Sequence, residues 1–144
     1  SKLLNGYKVG DKTYKVHIDG FNMIPYLTGA VKESPRKSFF YISDDGDVLA
    51  IRHGDWKATL MEQRAKTMAC WAEPFVKLRV PHFFNLRQDP FERALENSNT
   101  YWDWMLNHIF LLYGMQALVA EQIANFVKYP PRQKPASAKP PSTK

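Results

Sequence analysis

The 144-residue sequence has a single cysteine, Cys70, and its four histidines are scattered along the chain. One cysteine excludes an intrachain disulfide and a zinc site built from several thiolates. The sequence also lacks H-E-x-x-H and G-x-S-x-G, the motifs of common zinc and serine hydrolases. These spacings therefore predict no metal site and no catalytic residue. Cys70 is interpreted as a small hydrophobic residue.

Long apolar runs are missing as well. The longest one, from Ile109 to Met115, is far shorter than the roughly 20 residues that a bilayer requires, so no membrane span is predicted. No signal-like segment follows Ser1. Because the first residue is serine rather than methionine, we expect a processed protein or a piece of a longer one.

Acidic residues are absent after Glu121, whereas five cations follow it. The net charge of +6 therefore comes mostly from a basic, proline-rich tail, which we assign to residues 128–144. The rest of the chain is close to neutral, so nucleic acid is not expected as a partner.

A β-meander is predicted in the middle of the chain. Three runs rich in aromatic and β-branched residues predict strands, namely Phe39 to Ser43, Val48 to Arg52 and Trp56 to Met61. Asp-Gly-Asp and His-Gly-Asp segments separate them and favour tight reversals. Trp56, Ala58 and Leu60 share one face of the third strand, which we expect to face the core. A fourth strand is predicted from Phe83 to Leu86.

The flanking segments complete an α+β fold. Residues 1–18 are interpreted as a linker with at most one weak strand from Thr13 to Ile18. A short helix is predicted between Phe21 and Gly29, with Pro25 in its first turn. Residues 64–80 are interpreted as a long connection, with a β-like excursion as the alternative. The predicted architecture is a four-stranded antiparallel sheet packed against one long C-terminal helix, with a short N-terminal helix and an extended proline-rich tail.

The long helix is predicted from Tyr101 to Phe126, after a Thr100–Asp103 pair that resembles a capping box. At 1.5 Å per residue it would be about 40 Å long. Its polar residues fall on one narrow stripe: Asp103, Asn107, Gly114, Glu121 and Asn125. The remaining, wide apolar arc needs burial on several sides, either in a homodimer or against a missing domain. The packing candidates are Trp104, Phe110, Leu111 and Met115.

Few other residues are candidates for chemistry. Asp44-Asp45-Gly46-Asp47 lacks the ligand spacing of a calcium loop, so a turn is favoured. Ser43 and His53 could form a nucleophile–base pair, although no orienting context accompanies them. A cation-rich aromatic segment could line the rim of an anion or sugar pocket, with a solvated loop as the favoured alternative. Its candidate residues are Arg64, Lys66 and Trp71, followed by Lys77 and Arg79.

Several motifs resemble the sulfatase family, and bacterial arylsulfatases in particular. Asp19 to Gly29 is similar to a D-G-x-x-x-x-P-x-L-x-G segment, Phe39 to Ser43 to an aromatic strand, and Val48 to Arg52 to an A-x-R strand. Gly54-Asp55-Trp56-Lys57 is similar to a G-D-W-K strand, and Phe84 to Glu92 to an L-Y-D-L-x-x-D-P-x-E motif. Their order and spacing agree with the family, and with Pro130 to Pro135 the likeness extends over nearly the whole chain.

The resemblance implies that residues 19–127 form the C-terminal subdomain of an arylsulfatase. The catalytic domain of such an enzyme holds a formylglycine, made within a C-x-P-x-R or S-x-P-x-R motif, and a calcium ion. Neither motif occurs here, and Cys70 is not followed by the required proline and arginine. We therefore expect no cofactor and no catalytic residue in this chain, and an inactive, structural role when it is isolated.

Three functions remain as expectations. The first is the subdomain of a sulfuric ester hydrolase, whose partner is the missing catalytic domain; similar enzymes are often exported, which favours the periplasm. The second is a stand-alone binding module that forms a homo-oligomer through the apolar helix. The third is an unrelated hydrolase that acts through Asp44, Asp45 or His53.

Overall fold

The computed structural model of the chain describes residues 2–130, which fold as an α+β structure. The strands are β1 (Tyr7–Val9), β2 (Lys12–Tyr14), β3 (Ser38–Ile42), β4 (Val48–His53), β5 (Trp56–Glu62) and β6 (Val76–Asn85). The helices are α1 (Lys2–Asn5), α2 (Ile24–Leu27), α3 (Ala94–Asn97), α4 (Tyr101–Asn107) and α5 (Phe110–Lys128), with a 3₁₀ helix at Thr67–Trp71. The predicted fold class is confirmed, and the predicted tail from residue 131 onwards lies outside the described residues.

The four-stranded sheet is an antiparallel meander in the order β3-β4-β5-β6, as predicted. Its first turn is held by Ser43, whose Oγ accepts the N–H of Asp47 at 3.0 Å. Gly46 and Gly54 sit in the two turns with φ of +87° and +59°, a region that residues with a Cβ seldom enter. The aspartates at the first hairpin tip are exposed and form a turn.

The fourth strand is longer than predicted, because β6 begins at Val76 rather than at Phe83. Met61 and Glu62 of β5 pair with Lys77 and Val76 of β6 after a register shift. The long connection predicted for residues 64–80 is therefore wrong for residues 76–80, where the alternative of a β-like segment agrees with the structure. Pro81 interrupts the local strand pattern, yet it is tolerated because β6 lies at the edge of the sheet.

The N-terminal segment contains more structure than the predicted linker. Helix α1 is followed by a hairpin in which Tyr7 pairs with Tyr14. The weak strand predicted from Thr13 to Ile18 is observed at Lys12–Tyr14, and residues 15–18 are not part of it. Helix α2 lies inside the predicted helix, with Pro25 in its first turn.

The predicted long C-terminal helix is confirmed as α5, but its predicted start at Tyr101 is wrong, because α4 and α5 are separate and bent by 71°. An unbroken helix would pair the carbonyl of Trp104 with the N–H of His108. Here the Nδ1 atom of the His108 ring lies 2.7 Å from that carbonyl. The backbone N–H of His108 donates instead to the carbonyl of Met105. Because α4 and α5 have different helix axes, the predicted polar stripe does not form one continuous face. Thr100 forms no side-chain cap bond, so the capping box is also absent.

The core lies between one face of the sheet and helices α4 and α5. Phe40, Ile51, Ala58 and Phe83 occupy paired positions across the four strands and so share that face. The predicted inward orientation of Ala58 is confirmed, because it is buried. The helices close the core with Tyr101, Met105 and Met115.

Candidate functional site

The G-D-W-K and D-P-F-E motifs meet at one ion pair on the sheet face opposite Ala58 and Phe83. Lys57 Nζ lies 2.6 Å from Oε1 of Glu92, and the two side chains are only 14% and 31% exposed. The same ammonium lies 4.7 Å above the ring of Tyr41. Glu92 has a φ of +56°, a conformation that L-residues seldom adopt, so the ion pair fixes an unfavourable backbone turn. Lys57 therefore joins the sheet to the segment after β6.

The other polar residues of these motifs bond backbone groups. The carboxylate of Asp89 accepts the N–H of Arg93 at 3.0 Å and of Ala94 at 2.7 Å. The Asn85 side chain accepts the N–H of Arg87 at 3.0 Å. Each side chain satisfies donors at a turn, which gives the motif a structural reason without any catalytic step.

Tyr101 is the one buried residue of this region with a perturbed pKa. Burial raises the pKa of its hydroxyl, a hydrogen bond with the Phe83 backbone opposes that shift, and Asp89 and Glu92 raise the pKa further. The hydroxyl donates to the Phe83 carbonyl at 2.9 Å and lies 2.9 Å from the Phe83 N–H. It is neutral near pH 7 and fully engaged, so it suits a structural role.

Arg64, Lys66 and Trp71 of the predicted rim lie on one excursion between β5 and β6, whereas Lys77 and Arg79 belong to β6. Trp71 is 82% exposed in the 3₁₀ helix, and Arg64 Nε bonds Oε1 of Glu62 at 2.8 Å. The amide of Gln63 holds the excursion by donating to the carbonyls of Cys70 and Glu73. Lys66 is exposed nearby, so the three predicted residues are close in sequence, but an anion would compete with Glu62 for Arg64. The rim function stays a prediction.

The four predicted packing residues take two different positions. Met115 is buried at 5% exposure, and Trp104 and Leu111 pack against the same core inside this chain. Trp104 stacks on Trp56 with ring centroids 6.0 Å apart. Phe110 is 61% exposed, so of these four it alone projects from the chain.

Helix α5 has an apolar outer face that the described residues leave uncovered. Positions spaced by three and four residues along the helix lie on the side opposite Met115. We define the α5 outer face by its exposed members, which are Phe110, Tyr113, Ala117, Ala120, Ala124 and Val127.

The structure brings together none of the alternative catalytic residues. Ser38, at the far end of β3 from Ser43, pairs with His53, so Ser43 and His53 lie at opposite ends of the hairpin. The Ser43 hydroxyl is already bonded to the Asp47 N–H. Within residues 2–130 no three His, Cys, Asp or Glu side chains are grouped to hold a metal ion.

A groove that the sequence analysis did not anticipate runs along the outer edge of β3. Its volume is about 650 Å³, and its walls are the segment His17 to Phe21 and the C-terminal half of α5. His17 Nδ1 lies 2.9 Å from the carboxylate of Asp19. The sequence signal for this groove was the composition of β3, whose five residues include neither a charged residue nor a proline.

Neither the family models nor the curated proteins give a match to this chain. Among residues 2–130 no single helix is long and apolar enough to cross a membrane. Helices α4 and α5 taken together have the length and apolar composition of a membrane span, but they are bent by 71° at the break between them.

Proposed function

We propose that this chain is the C-terminal subdomain of an arylsulfatase-type sulfuric ester hydrolase and braces the catalytic part of that enzyme. The observation that carries the proposal is the Lys57–Glu92 ion pair. It joins two motifs that are 35 residues apart in sequence and that both resemble the sulfatase family. Joint use of the two motifs in one contact explains why they would occur together.

The α5 outer face supports a partner domain. A solvent-exposed helix normally carries polar residues on the side away from its core. Here Phe110 and Tyr113 are 61% and 70% exposed, and alanines continue the apolar surface along α5. Covering this face with the catalytic part would remove apolar area from water.

The residues of this chain do not fit the cofactors of the parent family. Cys70 is followed by Trp71 and Ala72, so the sequence needed for formylglycine is absent. The described carboxylates provide no cluster for calcium, and those of Asp89 and Glu92 are bonded to backbone donors and to Lys57. We therefore assign the hydrolysis of the sulfate ester to the catalytic part and derive no step of it here.

The complete reading frame of the source gene provides the test. We expect a C-x-P-x-R or S-x-P-x-R motif upstream of Ser1, formylglycine in the purified protein by mass spectrometry, and hydrolysis of 4-nitrophenyl sulfate. The isolated chain should not hydrolyse this ester. In the complete protein Lys57→Met should lower thermal stability, whereas Lys66→Met, at an exposed lysine, should not. A reading frame without the motif, or turnover by the isolated chain, contradicts the proposal.

A second candidate, a homodimeric binding module, is favoured by the same α5 outer face. Light scattering on the isolated chain distinguishes the two. A dimer that Ala120→Glu dissociates, and that Gln116→Glu on the neighbouring exposed flank leaves intact, would favour the module. A monomer that binds the separately expressed catalytic part, and loses this binding in Ala120→Glu, would favour the subdomain.

A further inference from the structure

A small cavity lies between the end of β6 and the start of α4. Its volume is about 250 Å³, below the roughly 300 Å³ at which pockets for drug-sized ligands begin. The lining residues come from two chain segments, 84–89 and 94–104. A cavity of this size accommodates a single ring of a ligand.

Aromatic side chains give the cavity an apolar surface. They are Phe84, Tyr101 and Trp104, and the first two are only 4% and 2% exposed. The centroid of the Tyr101 ring lies 5.8 Å from that of Phe84 and 6.2 Å from that of Trp104, with tilts of 34° and 31°. The Tyr101 hydroxyl is bonded to Phe83, so this tyrosine offers its ring to the cavity. Because the tilts are modest, the three rings form a continuous platform rather than the walls of a cage.

Amide and hydroxyl groups supply the polar part of the lining. The Oδ1 atom of Asn85 accepts the N–H groups of Arg87 and Gln88, which fixes the amide and leaves its NH₂ group to donate elsewhere. Within residues 2–130 this NH₂ group and the Gln88 side chain have no hydrogen-bond partner. The hydroxyls of Ser98 and Thr100 lie 3.3 Å apart on the other segment. The lining therefore offers donors and acceptors beside the aromatic platform.

The charges of the lining exclude several classes of ligand. No Lys, Arg or His is among the described residues that line it, so no cationic side chain can hold a phosphate, a sulfate or a carboxylate. The one charged residue there is Asp89, whose two oxygens accept the N–H groups of Arg93 and Ala94 at 3.0 and 2.7 Å. Quaternary ammonium groups are held in cages of aromatic rings, which this platform does not form. The lining therefore favours a neutral ligand.

A pyranose ring combines the properties that this lining requires. The C–H groups of such a ring form an apolar face that packs on aromatic rings, and its hydroxyls both donate and accept hydrogen bonds along its edge. A nucleotide would bring a phosphate that no cation of the lining balances. A purely apolar ring would leave the amide and hydroxyl groups unpaired, which is costly.

We propose that this cavity binds one uncharged pyranose ring of a saccharide. The C–H face of the sugar packs on Tyr101 and Trp104, and its hydroxyls bond the side chains of Asn85, Gln88 and Thr100. All of these residues belong to this chain, so the binding site does not depend on the arylsulfatase proposal.

Nuclear magnetic resonance of the full, isotope-labelled chain tests the proposal. The probes are the methyl glycosides of glucose, galactose, mannose and N-acetylglucosamine, each titrated separately. We expect at least one of them to bind with a Kd of about 1 mM and to shift the indole N–H signal of Trp104 and the NH₂ signals of Asn85. Adenosine, tetramethylammonium and inorganic phosphate represent the other classes of ligand. No binding of any glycoside, shifts confined to residues outside the lining, or tighter binding of one of the other three probes would overturn the proposal.

Two variants each remove one contact and keep the shape of the side chain. Asn85→Asp retains the oxygen that accepts from Arg87 but loses the NH₂ group, and Thr100→Val loses the hydroxyl, so each should weaken binding about fivefold. Asn107→Asp makes the first change at an exposed residue outside the cavity and should bind normally. Thr100 is exposed, so its variant does not require the Asn85 turn to tolerate a new charge. Equal affinities of wild type and both lining variants, or an equal loss in Asn107→Asp, would contradict binding in this cavity.

Discussion

The hydroxyl of Tyr101 lies 2.9 Å from both the N–H and the C=O of Phe83, and so acts as an additional hydrogen-bonding partner at the edge of β6. Tyr101 begins α4, so this contact fixes the start of the helical region against the sheet. Both residues are buried. A buried peptide group without such a partner is costly, which gives the contact a clear role in stability.

Tyr101→Phe should lower the free energy of unfolding by about 2 kcal/mol, because it leaves the outward N–H and C=O of Phe83 without their partner. Urea denaturation followed by circular dichroism measures the change. Tyr113→Phe is the control, since its side chain is 70% exposed, and it should be nearly neutral. Equal costs for the two variants would contradict this role of the hydroxyl.

The same tyrosine predicts a loss of stability at alkaline pH. Its pKa is raised in the folded state, chiefly by burial, so above pH 10 the unfolded chain gives up this proton first. The contribution is fully present below the ordinary tyrosine pKa and is lost as pH rises through the folded pKa. Between pH 9 and pH 11 the free energy of unfolding should therefore fall more steeply with pH for wild type than for Tyr101→Phe. Parallel curves would contradict the pKa shift.

The Lys57–Glu92 pair should contribute more than a surface ion pair. Lys57→Met leaves a part-buried carboxylate unpaired and should cost about 2 kcal/mol. Lys57→Met combined with Glu92→Gln should cost less than the sum of the single variants, by about 1 kcal/mol. Exposed Lys37 and Glu33, only 2.5 Å apart, are the matched control and should show no measurable coupling. Additive effects at Lys57 and Glu92 would exclude a stabilising pair.

Met115 and Phe110 should respond in opposite ways, although the sequence analysis grouped them. Met115→Ala opens a cavity in the core and should cost about 3 kcal/mol in the isolated chain. Phe110→Ala removes an exposed ring and should change the free energy of unfolding by less than about 0.5 kcal/mol. Thermal unfolding of the two variants checks both values. A large cost for Phe110→Ala would mean that the α5 outer face is already covered in solution.

The sequence alone determined the elements whose cause is local. Gly46 and Gly54 can take positive φ, and runs rich in aromatic and β-branched residues flank them, so both hairpins were predictable. Pro130 and Pro131 also set a limit on the last helix, which ends at Lys128. In the site region, the sequence located the motif segments but not the contact between Lys57 and Glu92.

The tertiary structure decided features that depend on contacts distant in sequence. The break between α4 and α5 is a local exception, because it coincides with a contact of the His108 ring with the carbonyl of Trp104, four residues earlier. Pairing with β5 carries β6 across Pro81 back to Val76, in a segment where the alternation of apolar and charged residues from Val76 to Val80 already indicates a strand. Burial of Met115 and exposure of Phe110 follow from which side of α5 meets the sheet. Hydrophobicity sets the tendency to be buried, but only packing selects the side chains that are.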